Sequence, residues 1–327
     1  MLNRRNFLAT AASVVVAGPA LAQGAYPDHP IRIIVGYAAG GGVDIVARLL
    51  GEPMRAELGQ TIVVENRTGA SAMIASNTVA KAPPDGYTIL AAASGEVAIN
   101  QHLFKDKMTY DASRELTPLA LVGIVPCVIV VAEATPVHNP KELIAYAKDN
   151  PGKLSFSSSG VGNPQQLAGE LMNSMAGTNV LHVPYRGSAP AVTDVATGAV
   201  TMSFSSLAAA LPLIQSGKIR AVAVTSKERM PQLPDVPPLR EGSPGLADYE
   251  LLNWFGLFIT AGTPPEIVNR LNGIVNKALK DPAIADRLMV QGIVPMTMSP
   301  AEYKKFVDSE TAKFGKIVQT ANIKVVE

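Results

Sequence analysis

An α/β fold, with mostly parallel sheets flanked on both faces by helices, follows from three features of the sequence. Short β-branched runs alternate with stretches of helical apolar spacing, the strand candidates are apolar at nearly every position, and glycine- or serine-rich loops join strand to helix. The chain has 327 residues, about twice a typical domain, so one large domain or two ordinary ones are expected.

The first segment is not part of that fold. Residues 1 to 22 pair Arg4-Arg5 with an apolar run ending Val14-Val15-Val16-Ala17 and close on Ala20-Leu21-Ala22, the pattern of a signal peptide cleaved after Ala22. The run is shorter than the roughly 20 residues that cross a bilayer. Arg4-Arg5 before Phe7-Leu8 fits a twin-arginine signal and an ordinary secretory one about equally. Loss of the segment takes two of the 28 basic residues and no acid, leaving 26 against 27, a net of −1. A soluble periplasmic protein is expected.

Ile31 to Val35 then reads as a strand, and Gly40-Gly41-Gly42 leads into a helix with Ile45, Val46, Leu49, Leu50, Met54 and Leu58 on one face and Pro53 as a kink. Thr61 to Glu65 is a strand, Ser71 to Lys81 a helix and Tyr87 to Ala93 a buried strand. Leu119 to Ala132 is apolar but interrupted by Gly123 and Pro126, so more than one strand is expected there. The alternation returns in strands at 154–157, 179–183, 200–204 and 219–225 and helices at 165–176 and 189–197. A Pro-rich loop from Met230 to Pro244 precedes a strand at 254–260, and helices at 266–281, 282–291 and 300–320 end the chain.

Composition excludes several functions. With 47% apolar residues the chain is not disordered, near-neutral charge argues against a nucleic-acid partner, and the single Cys127 permits neither an intramolecular disulfide nor a cysteine zinc site. His29, His102, His138 and His182 lack metal spacing, and Cys127 reads as a buried apolar thiol. There is no Gly-x-Ser-x-Gly elbow, phosphate loop or His-Glu-x-x-His, and Gly160-Val161-Gly162 fails as a dinucleotide fingerprint at Gln165. Neither enzymatic activity nor a cofactor or metal is expected.

Three loops stand out: Tyr37 to Asp44, Ala93-Ser94-Gly95, and Ser157 to Asn163. Each follows a buried strand and leads to a helix N-terminus, where free backbone N–H groups and the helix dipole favour an anion. Together they predict an anion receptor made of backbone rather than of salt bridges. Asp44, an acid in a first helical turn, reads as a capping group.

Several segments, taken in order, resemble the periplasmic substrate-binding receptors of tripartite tricarboxylate transporters, the Bug family. They include Ala39-Gly40-Gly41-Gly42-Val43-Asp44, Val63-Val64-Glu65-Asn66-Arg67, Ala82-Pro83-Pro84-Asp85-Gly86-Tyr87, His182-Val183-Pro184-Tyr185-Arg186-Gly187, Leu233-Pro234-Asp235-Val236-Pro237 and Trp254-Phe255-Gly256-Leu257. The resemblance implies the two-domain periplasmic-binding-protein fold, with a ligand cleft between domains and closure about a hinge. Here the domains would be 23–124 plus 226–327 and 125–225, with hinge strands near 122–131 and 219–225. It also implies a small organic carboxylate as ligand, permease subunits as partners and a monomeric receptor. The ligand-binding residues carried over are Tyr37, Ala39, Gly40, Gly41, Ser94, Ser159, Gly162, Asn163, Arg186 and Gly187, with Ser205 added where the family often has an acid. Loss of that acid would favour a dicarboxylate, because a buried carboxylate repels a second one. Trp254 reads as packing. The alternatives are a carboxylate sensor feeding a two-component system and, from another class, an extracytoplasmic hydrolase.

Overall fold

The computed structural model describes residues 26–323. The signal segment expected at residues 1–22, with its arginine pair and cleavage site, lies outside them. Among the described residues no helix is long and apolar enough to cross a membrane.

The first lobe starts with β1 (Ile31–Val35), α1 (Gly42–Leu58), β2 (Ile62–Asn66), α2 (Met73–Ala80) and β3 (Thr88–Ala93). β1 is central and parallel to both β2 and β3. Its Ile31, Ile33 and Val35 face α1 while Ile34 enters the opposite core layer, so the continuous apolar run is buried on both sides. Helix α1 continues through Pro53, and Gly59 in the left-handed region (φ 67) terminates it. A π-helical turn, Gly95–Ile99, and two short helices, α3 (Asn100–Leu103) and α4 (Ala112–Glu115), lead to β4.

β4 (Leu116–Ala132) is a single 17-residue strand where Gly123 and Pro126 had predicted a break. Both residues have a structural reason. Gly123 lies against the backbone of β10 (Val294–Pro295), which pairs with it. Pro126 sits where the strand leaves one sheet for the other, a place that needs no regular ladder. Pairing irregularities at 118–120, 121–123 and 129–130 bend the strand.

The second lobe holds α5 (Pro140–Asp149), β5 (Ser155–Ser158), α6 (Pro164–Ala176), β6 (Leu181–Pro184), α7 (Ser188–Ala196), β7 (Met202–Ser206), α8 (Leu207–Gln215) and β8 (Ile219–Val224). β5 is parallel to β6 and β7. A long segment then returns to the first sheet through β9 (Leu252–Thr260), followed by α9 (Pro265–Leu279), α10 (Pro282–Val290), β10 and α11 (Pro300–Thr320).

The strand path is β2-β1-β3-β9-β4-β7-β5-β6, with β8 and β10 added along β4. The first half of β4 pairs with β9 and β10, the second half with β7 and β8, all antiparallel. The sheets are therefore mixed rather than mostly parallel, because β4 and β9 are joined to their neighbours by passage between sheets, not by β-α-β crossovers. At the junction the amide of Thr225 donates to the carbonyl of Cys127 and the amide of Leu251 to the carbonyl of Thr225, which ties β4, β8 and β9 together. One core layer runs across this junction, from Ile34, Leu90 and Trp254 to Phe156, Leu167 and Phe204.

Candidate ligand-binding cleft

The loop after β1 reaches α1 through Tyr37, Ala38, Ala39, Gly40 and Gly41, of which 38 to 40 are exposed. Gly41 is the N-cap and contributes no side chain, so the first-turn amides of Gly42 and Val43 have no carbonyl upstream. Asp44 is buried. Its carboxylate accepts from the Gly40 amide at 2.8 Å, from Arg48 and from Asn66, which fixes the loop instead of facing a ligand. Burial works to raise the Asp44 carboxyl, and the Arg48, Gly40 and Asn66 donors more than offset it and hold it below its usual value.

Ser94 follows β3 and is fully buried, its hydroxyl donating to Asn253 Oδ1 at 2.9 Å. Two residues on, within the π turn, Glu96 points inward. One carboxyl oxygen accepts from the Tyr37 hydroxyl at 2.6 Å and the other from the Ala93 amide at 2.9 Å. Burial pushes this carboxyl up to about 7 in spite of those donors. Glu96 carries no local sequence signal, and the pairing with Tyr37 across 59 residues is what reveals it.

In the second lobe Asn163 caps α6, accepting from the Gln166 amide, and Pro164 follows at the first helical position. Gly162 has φ 76, a left-handed conformation that favours glycine. Two loop amides are occupied by side chains of the same helix: Ser159 donates to Gln165 Oε1 and Gly162 to Gln166 Oε1. Gln165 also donates to Ser188 at the start of α7, joining this loop to Arg186 and Gly187. Arg186 is exposed and has no ion pair among the described residues. Ser205 is fully buried in β7 and donates to the Ser206 carbonyl.

Ser158 Oγ and His182 Nε2 stand 2.7 Å apart, the nearest approach to a nucleophile and base. The Ser158 hydroxyl also donates to the Gly160 carbonyl and is fully buried, and the imidazole stacks on Phe156. No described carboxylate orients the ring, whose burial pushes it down to about 4.

The loops of the two lobes touch. Ser71 Oγ donates to the Val161 carbonyl at 3.1 Å, and Asn100 Nδ2 donates to the Ser71 carbonyl. A Cβ on Gly95 would lie 3.4 Å from the Gly162 carbonyl, and one on Gly162 would lie 2.6 Å from the Phe104 ring. Ser71 was expected within a helix, yet Ala70, Ser71 and Ala72 all have positive φ (46, 52 and 66), so α2 starts only at Met73. The structure thus brings Tyr37, Ser94, Gly162 and Asn163 to one junction and links Arg186-Gly187 to the second-lobe loop through Gln165 and Ser188, while Ala39 and Gly40 are exposed. Trp254 is enclosed by Phe258, Tyr303 and Phe306. A cavity of about 250 Å³ is lined by Ala70 and Met73, which flank Ser71, and one of about 560 Å³ lies beside Arg240. Among the described residues no cluster of His, Cys, Asp and Glu could hold a metal ion.

Comparison with known proteins places this architecture. The family described as "Tripartite tricarboxylate transporter family receptor" matches residues 46–323. Protein BugT of Bordetella pertussis is 33% identical over 320 residues, covering 98% of this chain and 96% of its own. Among solved structures, Rpa4515 of R. palustris with adipate superimposes with a TM-score of 0.87 at 34% identity, over 92% of this chain and 100% of that one. MatC (Rpa3494) of Rhodopseudomonas palustris with bound malate gives 0.81 at 30% identity, over 90% and 100%. Two α/β lobes joined through β4, carrying the glycine and serine loops at their junction, thus coincide with a match over most of the chain, and the protein belongs to the tripartite tricarboxylate transporter receptor family, the Bug proteins.

Proposed function

We propose that this chain is a periplasmic receptor that captures a small organic carboxylate and delivers it to the membrane subunits of a tripartite tricarboxylate-type transporter, without enzymatic turnover. The observation that carries the reading is that the loops leading to α1 and to α6, which belong to different sheets, approach one another at Gly95, where the position of a Cβ would be 3.6 Å from the Tyr37 hydroxyl and 3.4 Å from the Gly162 carbonyl. Paired helix N-termini favour an anion through free N–H groups and the dipole. Relatives with adipate and with malate support a carboxylate.

The lobes, 23–124 plus 226–327 and 125–225, would close about β4 and the Thr225 junction. On this reading the amides of Gly42, Val43 and Val161, with Ala39, Arg186 and Gly187, would receive the ligand, while Ser94, Gly41 and Asn163, engaged with Asn253, the Ala38 carbonyl and Ser159 with Gln166, would support the loops that present it. The amides of Gly40, Ser159 and Gly162 would first have to leave Asp44, Gln165 and Gln166. Ser205, being buried, would act through the second-lobe strand it belongs to.

Thermal-shift screening of residues 23–327 against an organic-acid library tests the proposal. A ligand at 100 times its Kd adds about 2.7 kcal/mol to stability. Failure of every mono-, di- and tricarboxylate to shift the transition sinks it. Co-purification with permease subunits, as opposed to a sensor kinase, separates transport from signalling. The Ser158–His182 contact favours a hydrolase only if an activated serine results, and lack of labelling by a fluorophosphonate rejects that.

A further inference from the structure

Glu96 is a buried carboxyl that the capture scheme leaves without a role. It is 1% exposed and stands one side chain behind the contact between the lobes, since its partner Tyr37 has its hydroxyl 3.6 Å from where a Gly95 Cβ would be, and Gly95 itself lies against Gly162. The turn that carries it is π-helical, an irregularity that recurs at functional sites.

The groups around Glu96 do not neutralise it. The loop after β1 presents the Tyr37 phenol and β3 the Ala93 amide. Tyr110, just before α4, donates its hydroxyl to the Glu96 carbonyl rather than to the carboxyl. From α11, Tyr303 lies close enough to feel its charge, while Glu310 pairs with Lys313. On α3, His102 contacts the Thr311 carbonyl. On α4, Arg114 pairs with Asp111, and Glu115 with Lys81. Helix α2 has no ionisable residue, and neither does the 159–163 loop. Among the described residues no cation is bonded to Glu96.

We propose that Glu96 makes anion capture proton-linked: a ligand anion seated at the lobe junction repels the Glu96 carboxylate through Tyr37, and the carboxyl relieves this by taking up a proton. Two like charges in a water-poor site cannot both be kept cheaply, and the group able to neutralise itself does so. Glu96 thereby acts as a positioning residue. Charged, it accepts a strong hydrogen bond from Tyr37 and opposes the ligand; neutral, it leaves Tyr37 in place and lets the anion settle. Burial has already brought the carboxyl up to about 7, so the exchange falls in the neutral range. His182, held near 4, stays neutral across that range and contributes nothing to it.

This inference rests on the receptor reading, and the experiment separates the two. Binding of adipate, malate and the members of the organic-acid library is measured by calorimetry between about pH 6 and pH 8, in buffers of different ionisation enthalpy, for the wild type, Glu96→Gln and Tyr37→Phe. For the wild type we expect Kd to weaken about five- to tenfold from pH 6 to pH 8, with up to one proton taken up per ligand near the upper end. Glu96→Gln should bind without either effect. Tyr37→Phe, which removes a donor that favours the charged form, should keep the pH dependence with its midpoint moved upward. Carboxylate NMR of the ligand-free protein reads the Glu96 titration independently and serves if either variant folds poorly. Binding that is equally pH-independent in the wild type and Glu96→Gln, or a Glu96 titration below about pH 5, overturns this proposal and leaves the receptor reading standing. Absence of binding to every acid overturns the receptor reading and the coupling with it.

Discussion

Replacing Glu96 by glutamine should change how stability depends on pH even with no ligand present. In the folded chain the carboxyl titrates at about 7 against an ordinary 4.5, so between those values the folded state holds a proton that the unfolded state has released. Its stabilising contribution is complete below about pH 4.5 and is lost as pH rises through 7. At roughly 1.4 kcal/mol per pH unit, that interval amounts to about 3 kcal/mol. His182 works in the opposite direction: its imidazole is pushed from 6.5 to about 4, so stability is lost as pH falls below 6.5, by a similar amount. The wild type should therefore be nearly flat between about pH 4.5 and 6.5 and decline above that. Glu96→Gln should gain stability with pH up to about 6.5 and then level off. The glutamine oxygen still accepts from the Ala93 amide, and the Tyr37 hydroxyl turns to accept from the new amide, so the hydrogen bonds survive the change. Urea unfolding at a series of pH values, analysed by linear extrapolation, gives both curves. The difference between them should change by about 3 kcal/mol from pH 4.5 to pH 8, and parallel curves would refute the assignment of a buried, near-neutral carboxyl to Glu96.

Gly162→Ala should interfere with the approach of the two lobes, because its Cβ would lie 2.6 Å from the Phe104 ring at a backbone φ of 76. A larger radius of gyration by solution scattering, with a cost of about 1–2 kcal/mol in stability, is expected, and an unchanged radius would count against contact at this junction. Gly256→Ala places a methyl group on the buried Tyr303 hydroxyl and against the Ala120 carbonyl, so overpacking of about 1–3 kcal/mol should lower the urea midpoint. Asp44→Ala strands the Gly40 amide and unpairs Arg48, which should cost about 1–3 kcal/mol and shorten the protection of loop amides in hydrogen exchange. Asn163→Ala removes the α6 cap and should destabilise by about 1 kcal/mol in the same unfolding assay.

Much of the architecture was legible in the chain because local spacing carries it. The strand at Ile31 to Val35 and the helix after Gly42 were readable from periodicity, and the last helix, Pro300–Thr320, begins at a Ser299–Glu302 capping box. Of the loops chosen for glycine and serine content, those at Gly95 and Gly162 approach closely, as residues without a Cβ allow, but the hydrogen bond across the junction comes from Ser71, in a segment the sequence had marked as helix. Reading Gly123 and Pro126 as strand breakers failed, because an inherent preference cannot reveal that β4 changes sheets at that point. The helix expected from Ser71 also failed at its first turn, where contact with Val161 and Asn100 accompanies three left-handed residues in a row.

By itself, then, the sequence determined the alternation of strands and helices and which loops are rich enough in glycine and serine to let backbones come close, both properties of residues within a few positions of one another. Only the tertiary structure decided which of those loop amides are already held by Asp44, Gln165 and Gln166, that Trp254 sits in a closed aromatic cluster, and that Glu96 stands uncompensated behind Tyr37. Each of these depends on groups brought together by folding, and burial, not residue identity, sets the charge they carry.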